Sequence, residues 1–430
     1  MKKVALHNLG CKVNAYETEA MQELLEEHGY EIVPFEEKAD IYIINTCTVT
    51  NMADRKSRQM LHRARKKNSE AVIVAAGCYV QAKEAAGEQD EDIDIFIGNN
   101  KKHELISLIE KHFEEKEEVT KAIIDINHTK EYEEMQLHKT AEHTRAYIKV
   151  QDGCNQFCSY CIIPFARGRV RSRAKEDVLK EVRTLAENGY REVVLTGIHL
   201  SSYGVDLEHE NLMSLILAIH EVEGIDRIRL GSLEPRIITD EFAQTLAGLP
   251  KMCPHFHLSL QSGCNATLRR MNRRYTAEEY YEKCQILRKY FDNPALTTDV
   301  IVGFPGETEE EFLESMAFVD KVDFYETHIF KYSKRAGTKA AAMEDQVPEQ
   351  IKTLRSNRLL ALDEQKRKAY ESSYLGKKVE VLVEEMLDKD GRTYQVGHTK
   401  EYLKIAIEAE GDFTNQMTLV EIKNLDQIIR

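Results

Sequence analysis

Short apolar segments alternate with helical patterns through the middle of this chain, and that alternation constrains its fold more than any other feature. Six segments have the apolar character of buried strands: 146–151, 192–197, 227–232, 256–261, 296–302 and 324–331. Helical patterns separate them, as at 176–188, 276–291 and 309–322. Six strand–helix units predict an α/β fold, a partial (β/α)6 barrel of parallel strands whose functional residues lie at the carboxyl ends of the strands.

The first 80 residues repeat this alternation on a smaller scale. Apolar strand patterns occupy 2–8, 40–46 and 70–77, and helical patterns occupy 14–28 and 50–67. Parallel strands need helical crossovers of this kind. The order therefore predicts an N-terminal parallel α/β domain.

Two further features predict the domain boundaries. Residues 111–144 are rich in Glu and Lys and have little apolar periodicity, so we interpret them as an extended connection between domains. A long polar helix near 348–374 precedes short strands separated by polar turns, which predict a small C-terminal β-barrel. The predicted domains are 1–115, 140–370 and 371–430.

Composition excludes several classes of protein. No stretch approaches the roughly 18–20 apolar residues that cross a bilayer. His7 and Asn8 interrupt the N-terminal apolar stretch too early for a signal peptide. We therefore expect a cytoplasmic protein with no membrane partner. The net charge of −14 argues against indiscriminate binding to nucleic acid, while a local basic site remains compatible with it.

Nine cysteines in a chain without export signals predict metal or thiolate chemistry and not a disulfide framework. Cys154, Cys158 and Cys161 follow the first predicted barrel strand with the spacing C-x3-C-x2-C. No fourth cysteine is close in sequence, so an iron–sulfur cube held there would keep one iron open to a substrate or cofactor. A structural zinc site that borrows a distant ligand is the alternative.

The segment DGCNQFCSYCIIP resembles the radical S-adenosylmethionine superfamily, in which the open iron binds S-adenosylmethionine and reductive cleavage yields a 5′-deoxyadenosyl radical. The resemblance extends to the strand ends VVLTGIH, RLGSLEP, HLSLQSG and TTDVIVGFPGET. It implies seven cofactor-binding residues: Thr196, Gly197, Ser232, Glu234, Gln261, Asp299 and Gly303. For any one of these residues alone, a turn-forming role is the alternative.

A second group of cysteines lies in the N-terminal domain. Cys11, Cys47 and Cys78 each follow a predicted strand. Because the carboxyl ends of parallel strands share one edge of a sheet, the three thiols can converge in space. We interpret these three cysteines as ligands of a second iron–sulfur cluster with one open iron. The alternative is that each cysteine is a small buried apolar side chain.

The segments NLGCKVNAYETE, INTCTVTNMADRKSR, VAAGCYVQ and DGCNQFCSYCIIPFARGRVRSR resemble the methylthiotransferase family, and the resemblance covers essentially the whole chain. It implies an N-terminal auxiliary-cluster domain, a radical barrel and a C-terminal TRAM RNA-binding barrel. It also implies two [4Fe–4S] clusters, one on each cysteine triad, with S-adenosylmethionine and an electron donor such as flavodoxin or ferredoxin. In the family, one S-adenosylmethionine methylates a sulfur on the auxiliary cluster and a second provides the radical. Cys253, Cys264 and Cys284 match no ligand position, so we expect packing residues there.

Three basic stretches favour an RNA substrate, because cations near an active site can contact phosphates. The first would present five cations on one face if it were extended: Arg167, Arg169, Arg171, Arg173 and Lys175. The other two comprise Arg55, Lys56, Arg58, Arg63, Arg65, Lys66 and Lys67, and Arg269, Arg270, Arg273 and Arg274. A solvated helix face is the alternative for each. Residues 371–430 carry twelve acidic and eight basic residues, so an RNA role for that barrel depends on the resemblance.

Two segments indicate which branch of the family this chain resembles. LGCKVN around Cys11 and GHTKEYLK at 397–404 resemble the branch that acts on N6-threonylcarbamoyladenosine next to the anticodon of tRNA. Lys12 and Val13 differ from the Gln-Met and Pro-Lys pairs usual in the branches for isopentenyladenosine and for a ribosomal aspartate. We expect a tRNA methylthiotransferase acting at C2 of that nucleoside. Two alternatives stay open, methylthiolation of an aspartate in a ribosomal protein and a non-enzymatic RNA-binding protein with zinc at the central cysteines.

Overall fold

The structure is a computed structural model, and it describes residues 1–85, 91–115, 119–139, 144–389 and 391–430. The N-terminal sheet is parallel, with the strand order β2-β1-β3-β4-β5-β6. Its strands are β1 Lys3–Asn8, β2 Glu31–Ile32, β3 Ile41–Thr46, β4 Val72–Gly77, β5 Ile95–Ile97 and β6 Thr120–Ala122. Its helices are α1 Lys12–Glu27, α2 Asn51–Lys67, α3 Cys78–Ala85 and α4 Leu105–Glu115.

Helices cover both faces of this sheet, which is why its central strands are continuous apolar runs. Alternate residues of β3 and β4 pack with α1 and α4 on one face. The intervening residues pack with α2 and α3 on the other face. The three strands and two helices predicted before residue 80 are thereby confirmed to within two residues at each end.

The interpretation of 111–144 as an extended connection is wrong where the structure describes it. Helix α4 runs to Glu115, and β6 pairs with β5 in parallel and extends the sheet. Met135 and Leu137 are buried in the core with α1 and α4. A few well-placed apolar side chains are enough to fix a polar segment on a sheet, and periodicity alone does not detect them. Residues 116–118 and 140–143 lie outside the described residues.

The predicted six strands of the barrel are all present, and one short antiparallel strand accompanies them. The strands are β7 Ala146–Asp152, β8 Arg171–Ser172, β9 Glu192–Gly197, β10 Arg227–Leu230, β11 His255–His257, β12 Ala295–Val302 and β13 Glu326–Lys331. The helices are α5 Ile163–Ala166, α6 Lys175–Glu187, α7 Leu212–His220, α8 Asp240–Ala247, α9 Asn265–Arg270, α10 Ala277–Tyr290, α11 Glu309–Val322 and α12 Glu349–Ser372.

The barrel consists of two sheet segments, β10-β9-β7-β8 and β11-β12-β13. Single parallel bridges, Ile228 to Met252 and Leu233 to Leu258, connect them. Apolar residues on the outer face of the strands pack against α6, α7, α8, α10 and α11 in the largest core of the molecule. This arrangement is the predicted partial barrel of parallel strands with helices outside it.

The C-terminal strands form a curled antiparallel sheet in the order β16-β15-β14-β17, consistent with the predicted small barrel. They are β14 Lys378–Lys389, β15 Arg392–Thr399, β16 Lys404–Glu408 and β17 Met417–Glu421. Arg227 and Arg229, at the start of β10, donate hydrogen bonds to four backbone carbonyls of this sheet: those of Glu380, His398, Thr399 and Lys400. Among the helices that the structure describes, none is long and apolar enough to span a bilayer.

Candidate functional site

The central cysteines, which we call the loop triad (Cys154, Cys158 and Cys161), lie on one loop between β7 and α5. The amide of Cys154 donates to the Gly168 carbonyl at 3.0 Å, and the amide of Cys161 donates to the Cys158 carbonyl at 3.0 Å. Gly153 has φ +70°, and a Cβ there would lie 1.8 Å from the Arg169 carbonyl oxygen. Only glycine fits that position, so the chain can turn tightly enough to group three thiols.

The surroundings of the loop triad keep its free thiols protonated. Burial, together with the charge of Cys158, raises the pKa of Cys154 to about 11 and that of Cys161 to about 12. Arg273 donates from Nη1 to the Cys158 sulfur at 3.2 Å. Buried thiols lose their protons when they bind metal, so three sulfurs with one cationic neighbour fit an iron–sulfur cluster.

The N-terminal cysteines, which we call the sheet triad (Cys11, Cys47 and Cys78), follow three adjacent strands, β1, β3 and β4. A Cβ on Gly10 would lie 3.1 Å from Cys47 Cβ and 3.2 Å from its sulfur, so the loops of Cys11 and Cys47 touch. Burial, together with the charges of Cys78 and Cys11, raises the pKa of Cys47 to about 12. The charge of Cys78 also acts on Cys11, so the three predicted thiols lie near one another.

Arg167 connects the barrel to the sheet triad. It belongs to the barrel, six positions after Cys161, and its Nε donates to the Cys78 sulfur at 3.2 Å. Its two terminal nitrogens donate to Glu17 and Asn14 of α1 and to Asp152 at the end of β7, at distances of 2.7–3.1 Å. The side chain is fully buried, and the carboxylates that surround it compensate its charge.

The prediction that residues 167–175 present five cations on one face is wrong. Only Arg171 and Ser172 are in a strand, and Arg167, Arg171 and Arg173 are buried. Arg173 pairs with Glu181, and Lys175 pairs with Glu210. Because the three arginines are buried, they are not available to phosphates.

The third basic stretch, residues 269–274, also contains arginines that pair within the protein. Arg270 pairs with Glu311, and Arg273 contacts Cys158. Arg269 and Arg274 are exposed. The predicted patch is therefore reduced to two surface cations beside the loop triad.

The residues expected to bind S-adenosylmethionine occupy the carboxyl end of β9 and the turns after β10, β11 and β12, except Asp299, which lies inside β12. Gln261 has φ +72°, and its amide donates to the Asp299 carbonyl at 2.8 Å. Asp299 lies 3.3 Å from His257. Burial raises the pKa of Tyr275, with contributions from Arg273, Cys158 and Glu234, so Glu234 and the loop triad are both near this tyrosine.

Packing within the protein accounts for both predicted glycines. A Cβ at Gly197 would lie 2.9 Å from Gln151 Oε1, and one at Gly303 would lie 2.3 Å from Lys352 Cγ. Thr196 is buried and Ser232 is exposed. The close approaches at the two glycines are therefore to this chain's own side chains.

Sequence reasoning missed His199, which follows the end of β9. Burial, with smaller contributions from Arg273 and Arg236, lowers the pKa of His199 to about 4, so its imidazole is neutral at pH 7. Its Nδ1 lies 2.7 Å from Ser202 Oγ, and its amide donates to Gln151 Oε1. Its position directly after a predicted strand end was the available signal.

The remaining cysteines, Cys253, Cys264 and Cys284, are buried in the barrel domain. Cys284 belongs to the main apolar core. These are the surroundings expected of packing residues.

Comparisons with known proteins agree with this architecture. Residues 148–319 match the radical SAM superfamily, and residues 3–98 match the uncharacterized protein family UPF0004. The fold is similar to that of the radical S-adenosylmethionine methyltransferase TsrM from Kitasatospora setae, whose structure was solved with cobalamin and a [4Fe–4S] cluster bound. The TM-score is 0.54, and the match covers 77% of this chain and 75% of that chain at 16% sequence identity.

Two curated relatives cover almost the full length. The threonylcarbamoyladenosine tRNA methylthiotransferase MtaB of Bacillus subtilis is 43% identical over 98% of this chain and 94% of its own. A tRNA-2-methylthio-N(6)-dimethylallyladenosine synthase of Thermoanaerobacter is 38% identical over 90% of this chain and 83% of its own. The protein is thus a radical S-adenosylmethionine enzyme, a class that uses a [4Fe–4S] cluster and S-adenosylmethionine. Within that class, it belongs to the methylthiotransferase family.

Proposed function

We propose that the protein transfers a methylthio group to C2 of N6-threonylcarbamoyladenosine next to the anticodon of tRNA, in the cytoplasm. The contact between Arg167 and Cys78 carries this proposal, because it joins the barrel, which holds the loop triad, to the sheet triad. Two triads in docked domains suit a reaction that must deliver both a radical and a sulfur to one carbon. The relative from Bacillus subtilis bears this activity in its name.

The loop triad would hold the cluster that binds S-adenosylmethionine, and the sheet triad would hold a second [4Fe–4S] cluster. When bound, the clusters and S-adenosylmethionine supply the radical and the sulfur, which no side chain can provide. The chain holds the six sulfurs, places Arg273 beside Cys158 and Arg167 beside Cys78, and buries Cys78 and Cys154 away from water.

Other assignments complete the proposal. Seven residues would contact S-adenosylmethionine: Thr196, Gly197, Ser232, Glu234, Gln261, Asp299 and Gly303. The domains would divide at 1–115, 140–370 and 371–430, and an electron donor such as flavodoxin or ferredoxin would supply the reducing electron.

The N-terminal half of α2 supports an RNA substrate. Arg55, Lys56 and Arg58 are exposed, and none makes an ion pair or hydrogen bond with the residues that the structure describes. Ser57 lies between two of them and exchanges hydrogen bonds with the backbone of Cys47 at 3.0–3.3 Å. Exposed Met52 lies on the same helix. Cations beside an apolar surface suit a nucleic acid that presents phosphates and splayed bases.

Mass spectrometry of tRNA nucleosides tests the substrate. A strain that lacks this protein should accumulate N6-threonylcarbamoyladenosine and lose its 2-methylthio derivative, and the wild-type gene should restore it. The Cys47→Ala gene should not restore it, although its product is the same size and charge. If the methylthio nucleoside persists while an aspartate of a ribosomal protein loses its methylthio group, the ribosomal alternative is correct.

Metal analysis after anaerobic purification tests the cofactors. Two cubane clusters require about eight iron atoms per chain. The Cys47→Ala variant should keep about four. Stoichiometric zinc in place of iron would support the zinc-containing RNA-binding protein and exclude radical chemistry.

A further inference from the structure

The inner face of the barrel is charged. Residues 146, 148 and 150 of β7 point outward and pack against α6. Successive strand residues point to opposite faces, so the residues between them face inward. Beside β7, Arg145 faces the same interior as Glu192 on β9 and Arg229 on β10, since Arg145 lies 4.0 Å from Glu192 and Arg229 lies 2.7 Å from it.

Tyr402 enters this interior from the C-terminal sheet. It lies in the turn between β15 and β16 with φ +76°. Its ring stacks between His255 and His398, at centroid distances of 4.8 and 4.6 Å. The guanidinium groups of Arg145 and Arg229 lie 5.0 and 4.9 Å from the same ring. Four side chains from two domains therefore hold this tyrosine in a fixed place.

Lys12 enters from the third domain. It is the first residue of α1, directly after Cys11, and its charge acts on the hydroxyl of Tyr402 and on the ring of His255. Lys12 and Cys11 also line an open groove of about 770 Å³, whose other lining residues include Thr18, Glu19 and Tyr147. This groove gives a ligand a route from solvent to both Lys12 and Cys11.

Lys12 is the cation of this group that lacks an anion within the described residues. Arg145 pairs with Glu384 at 2.9 Å, Arg229 with Glu192 at 2.7 Å, and Arg227 with Glu380 at 3.2 Å. No ion pair or hydrogen bond to Lys12 occurs in the described ranges, which omit 86–90, 116–118, 140–143 and 390. Burial lowers the pKa of His255 and of His398, so their rings add no charge at pH 7. Lys12 is therefore the member of this group whose ammonium makes no ion pair with a described residue.

We propose that Lys12 and Tyr402 form a carboxylate-binding subsite for the threonyl group of N6-threonylcarbamoyladenosine. This inference rests on the proposed function. A partly buried cation without a partner is costly, and an anionic ligand offsets that cost. In adenine, N1 is bonded to C2 and to C6, the atom that carries N6, so a carboxylate on the N6 substituent that binds Lys12 keeps C2 on the side of Cys11.

The subsite also accounts for selectivity between relatives. The chain is similar to enzymes named for threonylcarbamoyladenosine and to enzymes named for dimethylallyladenosine. The first N6 substituent carries a carboxylate, whereas the second is an apolar hydrocarbon. A cation that nothing else neutralises favours the first and penalises the second, because the apolar group would leave it desolvated and unpaired.

Binding of anticodon stem-loop RNAs tests the subsite. Three RNAs are compared with the reconstituted holoenzyme: one with N6-threonylcarbamoyladenosine, one with the threonine carboxylate converted to an amide, and one with plain adenosine. The wild type should bind the carboxylate form about 10- to 100-fold more tightly than the amide form. Lys12→Met should remove this preference, Lys12→Arg should retain most of it, and Tyr402→Phe should reduce it.

Controls separate this subsite from general RNA binding and from cluster loss. Lys56→Met on α2 should weaken binding of all three RNAs equally. The Lys12→Met protein should keep its iron content, because Lys12 is not a ligand. If Lys12→Met still discriminates the carboxylate from the amide, the subsite is wrong. If the wild type shows no preference and does not methylthiolate the carboxylate RNA, the proposed function itself is wrong.

Discussion

The two cysteine triads reach the same kind of site by different routes. The loop triad occupies eight consecutive residues, and one tight turn at Gly153 is enough to group its thiols. The sheet triad draws on residues 36 and 31 positions apart, which meet only because β1, β3 and β4 are neighbours in a parallel sheet. The first triad therefore depends on local conformation, and the second depends on the topology of a whole domain.

A shared feature accompanies this difference. In each triad an arginine donates to one thiol at 3.2 Å, Arg273 to Cys158 and Arg167 to Cys78. Both arginines belong to the barrel, so the barrel supplies the partner of its own triad and that of the N-terminal domain. The sheet triad is thus complete only when the two domains are docked.

The largest expected effect separates the two triads by their chemistry. Cys158→Ala should abolish formation of 5′-deoxyadenosine, because the loop triad would lose its cluster. Cys47→Ala should still form 5′-deoxyadenosine but should make no methylthio product. Chromatography of the S-adenosylmethionine products and mass spectrometry of the RNA measure the two outcomes.

Cys284→Ala is the matched control, because Cys284 is a buried cysteine of the barrel core. It should keep both activities. Methylthio product from the Cys47→Ala enzyme would contradict the assignment of the sheet triad.

Two glycine variants sharpen the contrast between local and topological assembly. Gly153→Ala would place a Cβ 1.8 Å from a carbonyl oxygen at φ +70°, and Gly10→Ala would place one 3.1 Å from Cys47 at φ +113°. We expect each variant to lose about four iron atoms per chain, each from its own triad. Gly29→Ala is the control, since its φ is +78° but no atom lies within 4 Å of the added Cβ. Loss of all iron from either variant would show that the triads are not assembled independently.

The parts of the fold that the sequence predicted correctly rest on local signals. Each of these signals spans only a few residues, as in the strand pattern IYIINT and in the spacing of Cys154, Cys158 and Cys161. Convergence of Cys11, Cys47 and Cys78 was also predictable, because parallel strands end on one edge. Periodicity and spacing need no knowledge of distant partners.

The errors come from distant partners. Arg167 alternates with other cations in sequence, yet Glu17, located 150 positions earlier, pairs with it inside the protein. An alternating basic run does not reveal acids that another domain supplies. Lys12 was noted only as a residue of a family branch, and its proximity to Tyr402 depends on the docking of three domains.

The arginine contacts provide the next prediction. Arg273→Lys should slow formation of 5′-deoxyadenosine about 10- to 100-fold, because the donor to Cys158 is shortened and loses its planar geometry. Arg167→Lys should spare that step and lower the yield of methylthio product per 5′-deoxyadenosine by a similar factor.

Arg173→Lys is the control, since Arg173 is buried and pairs with Glu181 but contacts no thiol. It should lower the melting temperature without changing the ratio of the two products. An equal effect of Arg167→Lys and Arg273→Lys on both steps would mean that the triads are not functionally separate.

The smallest expected effect concerns which triad faces the RNA. Lys56 lies beside Cys47 of the sheet triad. Arg274 follows Arg273, which contacts Cys158 of the loop triad. Lys56 and Arg274 are both exposed, and neither has an ion-pair partner in the part of the chain that the structure describes. If the RNA phosphates lie along α2, Lys56→Glu should weaken binding several-fold and reduce the slope of log affinity against log salt by about one.

Arg274→Glu should change neither quantity by more than about a factor of two, because long-range attraction is screened at physiological salt. Titration of an anticodon stem-loop at several salt concentrations measures both slopes. A larger change for Arg274→Glu would place the RNA backbone on the side of the loop triad and reverse the proposed roles of the two surfaces.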